Sequence, residues 1–310
     1  LSVEGRIGRV ILQEAPDLRK RSGFCLVWHS SSVHLPHVGI DIHLYRKFIE
    51  FLRMRMNIPN SAEQYGFIVE GLGAHSGRTI MLADFQALLT ASSQSMKTED
   101  YRHLVIQDNV LLKRTESARK ESFKRLKRLY ALDPELLLFS VLRKLWDQSP
   151  EAQPVLTLLY AIARDPILRV TVDLLVDLPL GEVITAPKFA EVVGQEFPTE
   201  INKKTLASIG RNIASSFTQS GHLKGRSQKE RIRARCQTTS VAYALFLGYL
   251  CGDRGEVLFN TPWMRLLDSP VHELHTKAQL ASQQGWLEYR HAGQMTEISF
   301  NHLLQEVTNE

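Results

Sequence analysis

Apolar side chains recur at spacings of three and four over most of the chain, the repeat of an amphipathic helix. Ile42, Tyr45, Phe48, Ile49 and Leu52 form the first stripe, and Asn57-Ile58-Pro59 ends it. Ser61 caps a short helix after it. Further helices are predicted over 75–90, after the turn-like Gly71-Leu72-Gly73, and over 101–110, 113–129, 135–146, 155–163 and 167–176. Asp133-Pro134 and Asp165-Pro166 mark two of the breaks. Residues 1–37 lack this periodicity, residue 1 is Leu, and the first Met is Met54. That stretch is expected to be a loose tail or a mis-called start, with Val38 near the true beginning.

Beyond Leu180-Gly181 the pattern changes. A helix is predicted over 187–193, and Pro198 breaks it. Asn202 suits the N-cap of a helix running to Gln219, and Gly221 stands where a C-terminal cap belongs. Residues 231–236 alternate long polar and apolar side chains, as a small strand does. Helix, helix and hairpin in that order is the layout of a winged helix-turn-helix. The layout returns as helices over 256–267 and 271–284, followed by strand-like 286–290 and 295–300 around His291-Ala292-Gly293-Gln294. The expected fold is mainly α: a loose tail over 1–37, a helical domain over 38–180, and winged-helix-like modules over 181–240 and 241–310 with small β-hairpin wings.

Composition adds little. The 310 residues are 44% hydrophobic and 23% charged, ordinary values for a chain with a packed core. Cys25, Cys236 and Cys251 are far apart and odd in number, which argues against a disulfide scaffold or a thiolate metal site. The longest apolar run, 238–252, falls short of the roughly 20 residues a membrane span needs. It is expected to be a buried helix, and the protein to be cytoplasmic with no membrane partner.

Charge placement changes the picture more. The formal net charge is only +5. Residues 113–128 carry eight basic and two acidic side chains, and 203–235 carry nine basic and one acidic. These segments stand at +6 and +8, which leaves the remainder at −9. Concentrated basicity is the footprint of a polyanion partner. On the helix from Asn202, Leu206, Ile209, Ile213 and Phe217 make the core stripe. Lys203, Lys204, Thr205, Ser208, Arg211 and Asn212 offer cationic and small polar groups suited to a DNA groove. The adjoining wing supplies Lys224, Arg226, Lys229, Arg231 and Arg233 for the backbone. Arg114, Arg119, Lys120 and Lys124 form a second contact line, although that segment reads equally well as a solvated helix face.

Several chemistries lack a motif. There is no G-x-x-x-x-G-K-[ST] loop and no G-x-S-x-G elbow. In Gly71-Leu72-Gly73-Ala74-His75-Ser76-Gly77 the third Gly comes one place late for a dinucleotide fingerprint, so a helix-to-helix turn is expected. His272 and His275 share a helical face without a third ligand at metal-site spacing, and are read as surface residues. No cofactor, no metal, no catalytic residue and no small-molecule substrate is expected.

Asn109-Val110-Leu111-Leu112-Lys113-Arg114-Thr115, followed by Arg125-Leu126-Lys127-Arg128-Leu129, resembles the N-x-L-x-x-R-T and R-L-x-x-L stretch of BrxA proteins from BREX phage-defence loci. Residues 158–169 are similar to that family's next helix pair, and 201–223 to its winged-helix segment. The resemblance spans residues 40–225. It implies a helical, winged-helix DNA-binding protein acting beside a methyltransferase, a phosphatase-like protein and an ATPase of the same locus. BrxA proteins are shorter, so the module beyond residue 242 is an addition, and the 1–37 tail has no counterpart. The expected function is therefore non-catalytic binding of double-stranded DNA within a BREX-type defence system, with other proteins of that locus as partners. The alternatives are a structural adaptor, a sequence-specific transcriptional regulator and, more distantly, a cryptic nuclease.

Overall fold

A computed structural model describes residues 56–304, apart from positions 57, 200, 294 and 302. The expected tail and the stripe from Ile42 to Leu52 lie outside the described residues. The chain is mainly helical. After a 3-10 helix at Asn60–Tyr65 and a second at Ala74–Ser76 come α1 (Leu82–Thr90), α2 (Thr98–Ile106), α3 (Glu116–Tyr130), α4 (Leu137–Trp146) and α5 (Gln153–Arg164). The short α6 (Pro166–Arg169) and α7 (Val172–Val176) follow. Thr115 caps α3 by accepting the Ala118 N–H, and Phe123, Leu126, Leu129 and Tyr130 form its buried stripe. Helix α5 is buried on every side from Val155 to Ala163. Around it Phe85 stacks on Tyr130 at 3.7 Å between ring centroids, and the Tyr160 hydroxyl donates to the Tyr130 carbonyl.

Strand β1 (Val183–Thr185), α8 (Ala186–Glu196), α9 (Lys203–Gln219), β2 (Leu223–Lys224) and β3 (Gln228–Arg231) form the next layer. The antiparallel sheet has the order β1-β3-β2, with Ile184 opposite Lys229 and Leu223 opposite Arg231. Helix α9 is capped as its sequence predicts: the Asn202 side chain accepts the Thr205 N–H at 3.0 Å. Gly221 has φ +83°, where a left-handed cap favours glycine. One expectation shifts and one strand was not expected. The strand read over 231–236 lies earlier, and β1 carried too few residues for a period to show.

Helix α10 (Thr238–Leu250) is almost wholly buried, as its apolar run predicts. It packs against α4, α5 and the helix Val271–Gln283, and the Tyr243 hydroxyl donates to the Leu138 carbonyl at 3.0 Å. The expected module boundary at 240/241 therefore falls inside a core helix. The helix expected over 256–267 divides into a 3-10 helix (Gly255–Asn260) and α11 (Pro262–Arg265), with Thr261 capping the latter through the Met264 N–H. Pro262 explains the break, because a proline disfavours helical geometry at the residue before it. Helix α12 (Val271–Gln283) and the hairpin β4 (Glu288–Ala292) and β5 (Met295–Ser299) complete the fold, with His291 opposite Thr296. No helix among the described residues is long and apolar enough to cross a membrane.

Candidate nucleic-acid interface

The first turns of α9 project their cations outward. Ile209, Ile213 and Phe217 face the core with no exposure, Leu206 is half-buried, and Lys203, Lys204 and Arg211 are exposed. Gly210 lets α8 approach closely, since a Cβ there would lie 2.3 Å from the Ala186 carbonyl oxygen. This contact sets the angle at which the helix presents its cations. Ser208 accepts a hydrogen bond from Arg211 at 2.9 Å. Asn212 corrects the sequence reading. Its amide donates to the His75 carbonyl at 3.1 Å, so it faces the 3-10 helix at Ala74–Ser76 and not a groove. The Thr205 backbone N–H is likewise committed to the cap.

A cleft of about 910 Å³ opens between α8, α9 and the β2–β3 turn. Lys203, Arg211, Arg226 and Lys229 border it, with Glu191 as a counter-charge, over an apolar floor that includes Ala190, Leu206 and Ala207. Lys203, Lys204, Arg226 and Arg233 are exposed and form no ion pair among the described residues. The other cations of β2 and β3 are engaged. Lys224 pairs with Glu230 at 2.9 Å. The Lys229 ammonium donates to Thr218 Oγ1 and the Gly225 carbonyl, and burial lowers its pKa.

Arg231 was expected on the wing surface and is 2% exposed. Its guanidinium makes a two-pronged bond to Asp268, at 2.8 and 2.5 Å, and also donates to the carbonyls of Leu175, His222 and Ile232. Asp268 in turn accepts the Ala234 N–H. Arg231 thus ties β3 to α7 and to the α11–α12 turn, and is withdrawn from any DNA contact.

The second contact line is also partly structural. The Arg119 guanidinium donates to the Ile106 carbonyl at 2.7 Å, and Lys120 pairs with Glu116 one turn away at 2.6 Å. Lys113 binds Asp84, Arg125 binds Glu121, and Arg128 donates to the Leu72 carbonyl. Arg114 and Lys124 stay exposed without an ion pair among the described residues. Asn109, at φ +55°, closes a loop by accepting the Lys113 N–H and donating to the Lys113 carbonyl. The Asn of the N-x-L-x-x-R-T stretch therefore shapes the entry to α3.

Sequence reasoning missed one constellation altogether. Asp165 Oδ2 lies 2.8 Å from His75 Nδ1, and His75 Nε2 lies 2.8 Å from Ser216 Oγ. That is the order of a nucleophilic triad. All three are fully buried, however, and Ser216 Oγ is occupied, accepting the Ile80 N–H and donating to the Asn212 carbonyl. The arrangement works as a clamp that joins the Ala74–Ser76 turn, α6 and α9. Burial opposes ionisation of Asp165, but the His75 charge and its hydrogen bonds, with a further one from the Leu168 N–H, outweigh it and lower the pKa. No signal in the sequence links residues so far apart.

No family model matches the sequence, and no curated protein matches it.

Proposed function

We propose that β1-α8-α9-β2-β3 is a winged helix-turn-helix module that holds double-stranded DNA without catalysis. One observation carries the reading. Lys203, Lys204 and Arg211 on α9, and Arg226 on the β2–β3 turn, are unpaired cations on one helix-and-wing framework of order β1-β3-β2. In such a module α9 enters the major groove and the wing follows the adjacent backbone. Arg114, Lys124 and Arg233 add phosphate contacts. Most of this affinity is electrostatic, so binding falls steeply with salt.

The test is fluorescence anisotropy with a labelled duplex across a salt series. The reading requires binding at low salt that Lys203→Glu together with Arg211→Glu and Arg226→Glu abolishes. Absence of low-salt binding, or indifference to those substitutions, overturns it. Protection of a single site over random duplex would mark a sequence-specific regulator. The resemblance to BrxA at residues 109–115 and 125–129 supports a place in BREX-type phage defence, with proteins of that locus as neighbours. Loss of phage resistance on deleting the gene, and its return on complementation, tests that placement.

A second reading is favoured by the apolar cleft floor. There the module is an adaptor that receives an acidic, amphipathic segment of a partner protein. Co-purification that survives nuclease treatment, and is lost on Leu206→Asp, would select it.

A further inference from the structure

Three side chains from three separate elements converge beside the β4–β5 hairpin. Glu256 stands in the 3-10 helix Gly255–Asn260, His275 in the middle of α12, and His291 on β4 beside the hairpin turn. One ring nitrogen of each histidine and one carboxylate oxygen all lie within 4.8 Å of one another. His275 Nε2 is 3.2 Å from Glu256 Oε1. Two ligands bound at about 2.0–2.1 Å to a tetrahedral zinc ion sit about 3.3 Å apart, so this pair already has the spacing of ligands sharing one ion.

The surroundings are built as well. The Tyr289 hydroxyl lies 2.8 Å from His275 Nδ1, which orients the ring and leaves Nε2 toward Glu256. Phe259 stacks on the same ring at 3.8 Å between centroids. Thr296, opposite His291 in the hairpin, touches His291 Nδ1 at 2.8 Å and donates to Glu256 Oε2. A ligating histidine usually gives its other ring N–H to an acceptor that fixes the ring, and these hydroxyl oxygens can accept it. Glu256 forms no ion pair with a lysine or arginine among the described residues, and its ionic partner there is His275 itself. His272, on the same helix, takes no part. The surface role read for His275 is therefore replaced by a convergent one, which its spacing from Glu256 and His291 concealed.

We propose that Glu256, His275 and His291 bind a divalent transition ion of the zinc type, leaving a fourth position open to solvent. The donor set of two imidazoles and one carboxylate suits zinc, cobalt or nickel better than calcium or magnesium, which take oxygen ligands. His291, within 4.8 Å of the other two donors, closes onto the ion, which an exposed side chain near the hairpin tip can do. The bound ion would tie the hairpin to α12 and to the Gly255–Asn260 turn.

The experiment uses the full chain, stripped with a chelator and titrated with Co²⁺ in the visible region and with Zn²⁺ by calorimetry. The expected result is one ion per chain, with a tetrahedral cobalt spectrum and a raised melting temperature. His291→Ala and Glu256→Gln should each weaken binding by at least about tenfold, Thr296→Val by roughly 10-fold or more, and His272→Ala not at all. Circular dichroism of His291→Ala and Glu256→Gln confirms that they remain folded. No ion uptake by the native chain overturns the assignment. So does uptake that His291→Ala and Glu256→Gln leave unchanged, since the ion would then lie elsewhere.

Discussion

Asp165 grips His75 twice with one carboxylate oxygen: Oδ2 accepts both the backbone N–H and the ring Nδ1, each at 2.8 Å, across 90 residues of sequence. The carboxylate lies directly over Gly73, where a Cβ would stand 1.9 Å from Oδ1. The glycine is therefore required by what sits above it, while its own φ of −71° is ordinary. Breaking a buried pair leaves one member without its partner, which costs about 3–5 kcal/mol. Asp165→Ala should lower unfolding stability by that amount in urea titrations. Gly73→Ala should also destabilise, because it displaces the carboxylate. Ser216→Ala, which strips the Ile80 N–H of its acceptor, should cost about 1–3 kcal/mol.

Acid should weaken the fold in two stages. His222 is buried, with Nε2 against the Leu266 carbonyl and Nδ1 against Ser220 Oγ. Burial lowers its pKa, opposed by Asp268. The unfolded chain, with an ordinary value of about 6.5, then binds a proton that the folded chain resists. Its contribution is complete above that pH and is lost as the pH falls below it. Asp165 behaves alike at lower pH. Its folded pKa is lowered, so its contribution is present above about pH 4 and is lost on further acidification. Urea midpoints measured from pH 8 to pH 3 should fall in both windows. His222→Gln should flatten the upper one alone.

Arg231 and Arg226 should separate stability from binding. Arg231→Met strands Asp268 in a nearly buried site and should cost about 3–5 kcal/mol, yet leave the salt slope of DNA binding in the folded protein unchanged. Arg226→Ala should do the reverse. Stability stays within about 0.5 kcal/mol, while the slope of log K against log salt falls by about 0.9. Calorimetric melting and anisotropy on the same two variants check both halves.

Gly210 offers a test of the α8–α9 angle. Its missing Cβ is what allows the Ala186 carbonyl to approach, and Ala190 stands 3.0 Å from the same point. Gly210→Ala usually strengthens a helix by up to about 1 kcal/mol. Here it should destabilise instead, and it should weaken DNA binding by tilting Lys203 and Arg211 away from Arg226. Gains in melting temperature would show that the two helices part without cost.

The sequence by itself determined where most helices lie and how some of them end, although 167–176 and 256–267 each hold two. Their signals are local: the Phe123, Leu126 and Tyr130 stripe, the Asn202 cap, the Gly221 terminator and the uninterrupted apolar run of α10. It also placed the cations of α9 correctly on the side away from Ile209, Ile213 and Phe217, since helical periodicity alone assigns a face. Tertiary structure decided which charges are free. Arg231 and Lys203 look alike in a basic segment, but one is buried against Asp268 and the other exposed, because partner choice depends on elements far along the chain. The same reason hid strand β1, which is ordered by pairing with β3, and the meeting of Glu256, His275 and His291. Asp165 and His75 are the clearest case, since neither residue has any neighbour in sequence that announces the other.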